Sequence, residues 1–298
     1  MKNVELTEET TSILRRAGCK VEIISYPPEN RGIDIVAYRD IGKPLVIKVS
    51  EDLEEVSKAE LEDLEKSGKA YSAVSLLIAL RRGSSELEDD IIYEKRGVFA
   101  VTVRTLEKYL TKNEKPIVIY SRGGYYLKID SKVFREKLRE YGYTRGELAE
   151  LLKVTKKTIY LYERGELLVP VDKGLILAEL IGEDIFEDLD FANQQGIMYS
   201  EEITSDTPRD EIEEVLWELA SKLNKLFLNF TRTPIDIAVK NNTMIIPITK
   251  AINTNGLLRS KIENAEKIAD LVNAPLVVVK SLADIKHVKN AILKKTRG

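Results

Sequence analysis

The stretch TRGELAELLKVTKKTIYLYERG, residues 144–165, constrains the fold more than any other part of this chain. Thr144 precedes Glu147 at the spacing of a capping box, in which each side chain satisfies the other residue's backbone N–H. Leu148, Ala149, Leu151 and Leu152 then supply one apolar face of a short helix. After the connector Lys153-Val154, Thr155 can cap a second helix with Ile159 and Tyr162 facing inward. Gly165 can end that helix in the left-handed conformation, leaving Lys156, Lys157, Tyr160, Leu161 and Arg164 outward. Upstream, KVFREKLREYGY (132–143) places Phe134 and Leu138 four residues apart and ends at Gly142; downstream, Pro170 opens a helix through VDKGLILAEL. The expectation is a bundle of four or five helices over residues 131–186.

This bundle resembles the DNA-binding domain of the lambda-repressor and Cro family. The resemblance implies that Lys156, Lys157 and Tyr160 face base edges, while Arg145 and Arg164 contact phosphates. The residues agree with it on physical grounds, since the start of a recognition helix enters the major groove and lysine can donate to guanine O6 and N7. The candidate DNA-binding set is Thr144, Arg145, Thr155, Lys156, Lys157, Thr158, Tyr160 and Arg164. Two positions depart from the family pattern. Arg145 stands where glutamine is usual, and Lys153 stands where glycine usually makes the turn, at a cost of about 1 kcal/mol for a left-handed non-glycine residue.

The flanks repeat one pattern. Residues 7–80 read as a helix, strands at 21–25, 32–39 and 44–50, a helix at 58–70 and a strand at 74–80. Residues 212–280 read as a helix (212–226), strands at 226–230, 234–240 and 243–250, a helix at 257–272 and a strand at 275–280. Ile33-Asp34-Ile35 and Ile235-Asp236-Ile237 each precede a lysine, Lys48 or Lys250, by 14 residues from the aspartate. The chain therefore reads as carrying a duplicated α/β domain. This order, with Asp on the second strand and Lys on the third, is similar to the restriction-endonuclease and Holliday-junction-resolvase fold. That family's active site needs a second carboxylate two residues before the lysine, because Mg²⁺ demands several oxygen ligands. Here those positions hold Val46 and Ile248, which cannot ligate a metal. Both copies are expected to be inactive, with Asp34 and Asp236 structural and paired with the neighbouring lysine, and no cofactor or metal is expected.

Between the first α/β domain and the bundle, KPIVIYSRGGYYLKID (115–130) reads as a hairpin around Arg122-Gly123-Gly124, with Tyr120, Tyr125 and Tyr126 packing rather than stacking on nucleic acid. The expected fold class is multidomain: restriction-endonuclease-like α/β domains at 1–112 and 211–298 around an all-α helix-turn-helix bundle, with a hairpin connector at 113–130 and an acidic linker at 187–210. The whole order resembles an archaeal family of helix-turn-helix transcriptional regulatory proteins, with RGGYYLKI (122–129) as its most specific piece.

The net charge of −3 hides a division along the chain. Residues 1–112 carry −3, 113–182 carry +3, 183–214 carry −11 and 215–298 carry +8, so a polyanion would be drawn to the bundle and the C-terminal third, notably Lys286, Lys289, Lys294, Lys295 and Arg297. One cysteine, Cys19, excludes an internal disulfide, and one histidine, His287, argues against a zinc cluster or a Ser-His-Asp triad. No GxxxxGK[ST] or GxGxxG phosphate cradle occurs. No apolar run of membrane-spanning length and no secretion signal are present, so a cytoplasmic location is expected. The residues favour a non-enzymatic regulator that binds double-stranded DNA as a homodimer. The competing readings are a junction nuclease whose missing carboxylate comes from Asp40 or Glu51, and an adaptor that binds a protein of the transcription machinery.

Overall fold

The computed structural model describes residues 2–39, 42–192, 204–240, 245–252 and 256–285. Its contacts divide the chain into two units, residues 1–86 together with 200–298, and residues 87–199. The first unit begins with helix α1 (Lys2–Arg16) and strands β1 (Lys20–Ile23), β2 (Ile35–Tyr38) and β3 (Leu45–Asp52). It continues through α2 (Lys58–Tyr71) to β4 (Val74–Arg82) and the short β5 (Ser85–Glu86), which folds back on β4. β1, β2 and β3 run antiparallel, whereas β3 and β4 run parallel. A parallel pair needs a crossover, and α2 supplies it. Ser57 and Glu60 close a full capping box at the start of α2. All residues of β3 from Leu45 to Ser50 are buried, as expected where α1 and α2 both pack on the strand.

The second unit comprises β6 (Ile91–Lys95), β7 (Val98–Val101), α3 (Val103–Lys112), β8 (Val118–Ser121), β9 (Gly124–Leu127), α4 (Ser131–Tyr141), α5 (Arg145–Leu152), α6 (Lys156–Glu163), β10 (Val169–Pro170) and α7 (Val171–Ile181). The β8–β9 hairpin forms as expected. Its turn residues Arg122 (φ 50°) and Gly123 (φ 84°) are both left-handed, which matches the strand twist of a tight hairpin. Tyr120 packs 4.9 Å from Tyr125 and 5.5 Å from Tyr93.

β6 pairs in parallel with β8 and ties residues 91–112 to the hairpin, so the division by contacts falls before residue 112. Two expectations are corrected here. The four helices α4–α7 share one core, centred on Phe134, Leu148, Ile159, Tyr162 and Leu177, but they do not stand as an all-α domain. β10 extends the hairpin sheet, Val169 opposite Leu127, and a Cβ on Gly174 of α7 would meet Leu127 Cδ1 at 2.4 Å. Leu151, assigned to the apolar face of α5, is 48% exposed.

The chain then returns to the first unit with α8 (Glu211–Lys222), β11 (Leu226–Asn229), β12 (Ile237–Lys240), β13 (Ile245–Lys250), α9 (Leu258–Leu271) and β14 (Val277–Val279). β11, β12 and β13 are antiparallel, and β13 and β14 parallel, repeating the β1–β4 order. Backbone register aligns the copies without reference to sequence. Ile35 lies opposite Ile47, which pairs with Leu76; Ile237 lies opposite Ile248, which pairs with Val277. Ile47 therefore corresponds to Ile248, Lys48 to Thr249, Glu60 to Lys261 and Asp63 to Asn264.

The two copies hold each other through reciprocal contacts. Asp63 on α2 accepts the N–H of Thr231 at 2.7 Å, and Asn264 on α9 accepts the N–H of Ser25 at 2.7 Å. Lys66 donates to the Asn229 carbonyl at 3.5 Å, and Lys267 to the Ile23 carbonyl at 2.8 Å. Each contact pairs corresponding residues with their roles exchanged, the signature of a two-fold interface built within one chain.

Parts of the expected acidic linker are likewise bonded rather than solvated. Asp190 accepts from Tyr109 at 2.7 Å, and Asp206 pairs with Lys66 at 2.8 Å. Residues 193–203 of that linker, Asp40, His287 and the basic residues Lys286 to Arg297 lie outside the described residues.

Candidate nucleic-acid interface

The α5–α6 pair is built by its caps. Thr144 donates its backbone N–H and its hydroxyl to Glu147 at 2.8 Å each, and Glu147 N–H returns to the Thr144 hydroxyl at 3.2 Å. These bonds hold the Glu147 carboxyl below its ordinary value. Lys153 ends α5 in the left-handed region (φ 52°, ψ 48°), the conformation that its position in the turn demands. Thr155 then caps α6, accepting Thr158 N–H at 3.1 Å, while the two threonine hydroxyls share a 2.9 Å bond. Gly165 (φ 65°) releases the chain, and a Cβ there would meet Ser131 Oγ at 2.6 Å.

With Ile159 and Tyr162 buried, α6 presents Lys156, Lys157, Tyr160 and Arg164 outward. Thr144, Arg145 and Thr155 are also exposed, and Thr158 is half-buried. Gly146 in the first turn of α5 leaves room for the Lys156 stem, whose Cε would lie 3.3 Å from a Cβ added there. Arg145 spends two nitrogens on the buried carboxylate of Glu163, at 2.8 and 2.6 Å, and its guanidinium stands 5.2 Å from the Tyr160 ring. Arg164 donates to the Tyr160 hydroxyl at 2.9 Å and pairs with Glu166 at 2.5 Å. Tyr160 is thus flanked by two guanidinium groups. The sequence reading missed Glu163, whose partner lies 18 positions away. It also missed Gly146, whose lack of a side chain was the available signal.

In the two repeated α/β copies the charged residues are paired within the chain. Asp34 accepts from Arg31 Nε at 2.9 Å, from Val49 N–H at 2.9 Å and pairs with Lys48 at 3.1 Å. Lys48 also reaches Glu60 at 3.1 Å, and Glu60 accepts from the Ser57 N–H and hydroxyl at 2.9 and 2.6 Å. Burial opposes ionisation of Glu60, but the Ser57 hydrogen bonds and Lys48 outweigh it and hold its carboxyl below the ordinary value. In the second copy Asp236 pairs with Lys261 at 2.7 Å, not with the side chain of Lys250 as expected. Burial is the largest influence on the Asp236 carboxyl and raises it despite Lys261. Lys250 turns to Asp210 and Glu213 instead, at 2.5 and 2.6 Å.

The metal that the nuclease fold implies does not fit these residues. Val46 and Ile248 are fully buried aliphatics, and each oxygen of Asp34 already accepts from protein donors. Among the described residues, no group of three or more His, Cys, Asp or Glu side chains is placed to hold a metal ion. Nor is any helix among them long and apolar enough to cross a membrane.

Residues 3–116 match the model of the PD-(D/E)XK superfamily domain. A protein of Pyrococcus furiosus named "Putative HTH-type transcriptional regulatory protein" is 30% identical over 285 residues, covering 94% of this chain and 87% of the relative. The chain belongs to this archaeal family. Members from Sulfolobus acidocaldarius (30% identity, 91% of this chain and 88% of the relative) and Saccharolobus islandicus (31%, 92% and 87%) carry the same name. No solved structure matches the chain. The match to the nuclease superfamily agrees with an α/β domain of restriction-endonuclease type at the N-terminus.

Proposed function

We propose that the chain is a sequence-specific, double-stranded DNA-binding transcription regulator that reads the major groove with α6 and does not cut DNA. The observation that carries this reading is the exposed set Lys156, Lys157, Tyr160 and Arg164 on a helix capped at its start and seated by a buried Ile159–Tyr162 face. Lysines at the start of such a helix are chemically suited to guanine edges. The regulatory names of the family members support the same reading. Two copies would meet half-sites about one helical turn apart, roughly 34 Å.

Selection of bound sequences from a random duplex pool, at two salt concentrations and with or without Mg²⁺, tests this. A recovered palindromic motif on intact DNA is the expected result, and Lys156→Ala or Lys157→Ala should relax base choice. Salt-labile binding without a motif would replace the regulator with an architectural or adaptor protein.

A second reading draws on the nuclease-superfamily match and on the buried triad Asp34–Lys48–Glu60 in the matched domain. Mg²⁺-dependent cleavage of branched DNA that Lys48→Ala abolishes would establish it.

A further inference from the structure

On the second unit, α4 and the α5–α6 pair border an open cleft of about 430 Å³ lined by Arg135, Leu138, Arg139, Tyr143, Arg145 and Glu163. Three arginines and one glutamate line it, and the glutamate carboxylate is already bound on both oxygens by Arg145. The lining therefore keeps an excess of positive charge. Arg135 and Arg139 are both exposed and stand one turn apart on α4, the spacing at which side chains are neighbours. Arg135 donates Nε to the Ser131 carbonyl at 2.8 Å, which fixes the start of the guanidinium and leaves its terminal nitrogens to another acceptor. Among the described residues Arg139 has no side-chain partner. With Arg145 held by Glu163, Arg135 and Arg139 have no carboxylate partner among the described residues, so their charge is open to an added anion.

We infer that this cleft holds a phosphodiester group of duplex DNA, beyond the bases that α6 faces. Planar guanidinium groups match phosphate oxygens in paired hydrogen bonds, which a single lysine does not. Arg145 joins the cleft to α6, since it both lines the cleft and stands over the Tyr160 ring. The same side chain thus couples a backbone contact to the exposed face of the recognition helix. The Glu163 carboxylate holds Arg145 in that place, and Tyr143 forms the apolar wall against the sugar edge. The inference rests on the regulator reading and adds Arg135 and Arg139, which bind without base preference.

The test compares wild type, Arg135→Gln/Arg139→Gln, Arg135→Lys/Arg139→Lys and Lys156→Ala/Lys157→Ala on a duplex selected by the wild-type protein and on a scrambled duplex, across a salt series. Thermal unfolding confirms that each variant is folded. The Gln pair should weaken both duplexes alike, by about tenfold, and reduce the salt slope by roughly two, because two phosphate contacts are lost. The Lys pair should keep the slope and lose only part of the affinity. Unchanged affinity in the Gln pair, with selectivity lost in Lys156→Ala/Lys157→Ala, would overturn the cleft while leaving the regulator intact. Inorganic phosphate that stabilises the wild type and not the Gln pair, with duplex binding unaffected, would assign the cleft to a free anion and overturn the DNA assignment. A wild-type protein that binds neither duplex would overturn both readings.

Discussion

Lys48 and Lys250 stand the same 14 residues after Asp34 and Asp236, yet they point to opposite faces of their sheets. Lys48 reaches Asp34 and Glu60 on α2, whereas Lys250 reaches Asp210 and Glu213 at the start of α8. Side chains alternate along a strand, so a shift of one residue is enough to reverse the face. The strand register makes that shift visible: Thr249 holds the Lys48 place, and Lys261 on α9 holds the place of Glu60. The second copy has moved its cation from strand to helix. Lys48→Thr alone should therefore leave two buried carboxylates facing each other and cost about 3–5 kcal/mol. Adding Glu60→Lys rebuilds the arrangement of the second copy and should recover at least half of that loss. Urea unfolding of both single variants and the double variant measures the coupling, and strictly additive losses would refute the correspondence.

Asp63 and Asn264 do the same work with different charge. Burial pushes the Asp63 carboxyl above its ordinary value, although the N–H groups of Arg232 and Thr231 and the nearby Lys66 and Arg209 pull it down. A carboxyl raised in the folded state favours folding below its unfolded pKa, and that contribution fades as pH rises through the folded value. Asp63→Asn should accordingly stabilise the protein at pH 7, by about 1 kcal/mol, and leave stability near pH 3 almost unchanged. Chemical unfolding at the two pH values checks this, and equal effects at both would show that the charge is immaterial.

Tyr71 closes α2 with its ring stacked 6.3 Å from Phe230 of the other copy, and its buried hydroxyl has no hydrogen-bond partner among the described residues. Burial raises this phenol far above its ordinary value. The ring provides the packing and the oxygen only a desolvation cost. Tyr71→Phe should raise stability by about 1 kcal/mol, read as a higher denaturant midpoint at unchanged slope. A fall in the midpoint would mean that the hydroxyl has a bound partner in solution.

The elements with local signals were legible in the sequence. Thr144–Glu147, Thr155 and Gly142 each announce a helix end through contacts within a few residues, and all three act as caps or stops in the structure. The duplication was legible because the order of elements repeats. Its exact register was not, since the path from Asp236 to Ile248 is one residue shorter than that from Asp34 to Ile47, and matching lysine to lysine by spacing hides the difference. The pairing of β6 with β8 was not legible, because it runs through backbone register rather than through a side-chain pattern. Glu163 was invisible for a similar reason: its partner depends on how α5 crosses α6, which no local periodicity encodes. The reciprocal packing of α2 and α9 is a property of two assembled surfaces and appears only once both are built.

Gly146 separates the stability of α5 from the placement of Lys156. Alanine is the better helix former, and although the gain in the first turn is smaller than the roughly 1 kcal/mol of a helix interior, Gly146→Ala should raise the unfolding midpoint modestly. The added Cβ would approach Lys156 Cε to 3.3 Å, tighter than ordinary contact, and this flexible stem would give way before the backbone. Lys156 would then leave the position in which α5 supports it at the start of α6. The expected result is a folded, slightly more stable protein whose affinity for its selected duplex falls several-fold while its affinity for a scrambled duplex holds. If both affinities stay at the wild-type level, Lys156 does not need the support of α5 to reach its base, and its place in recognition must be set by the DNA itself.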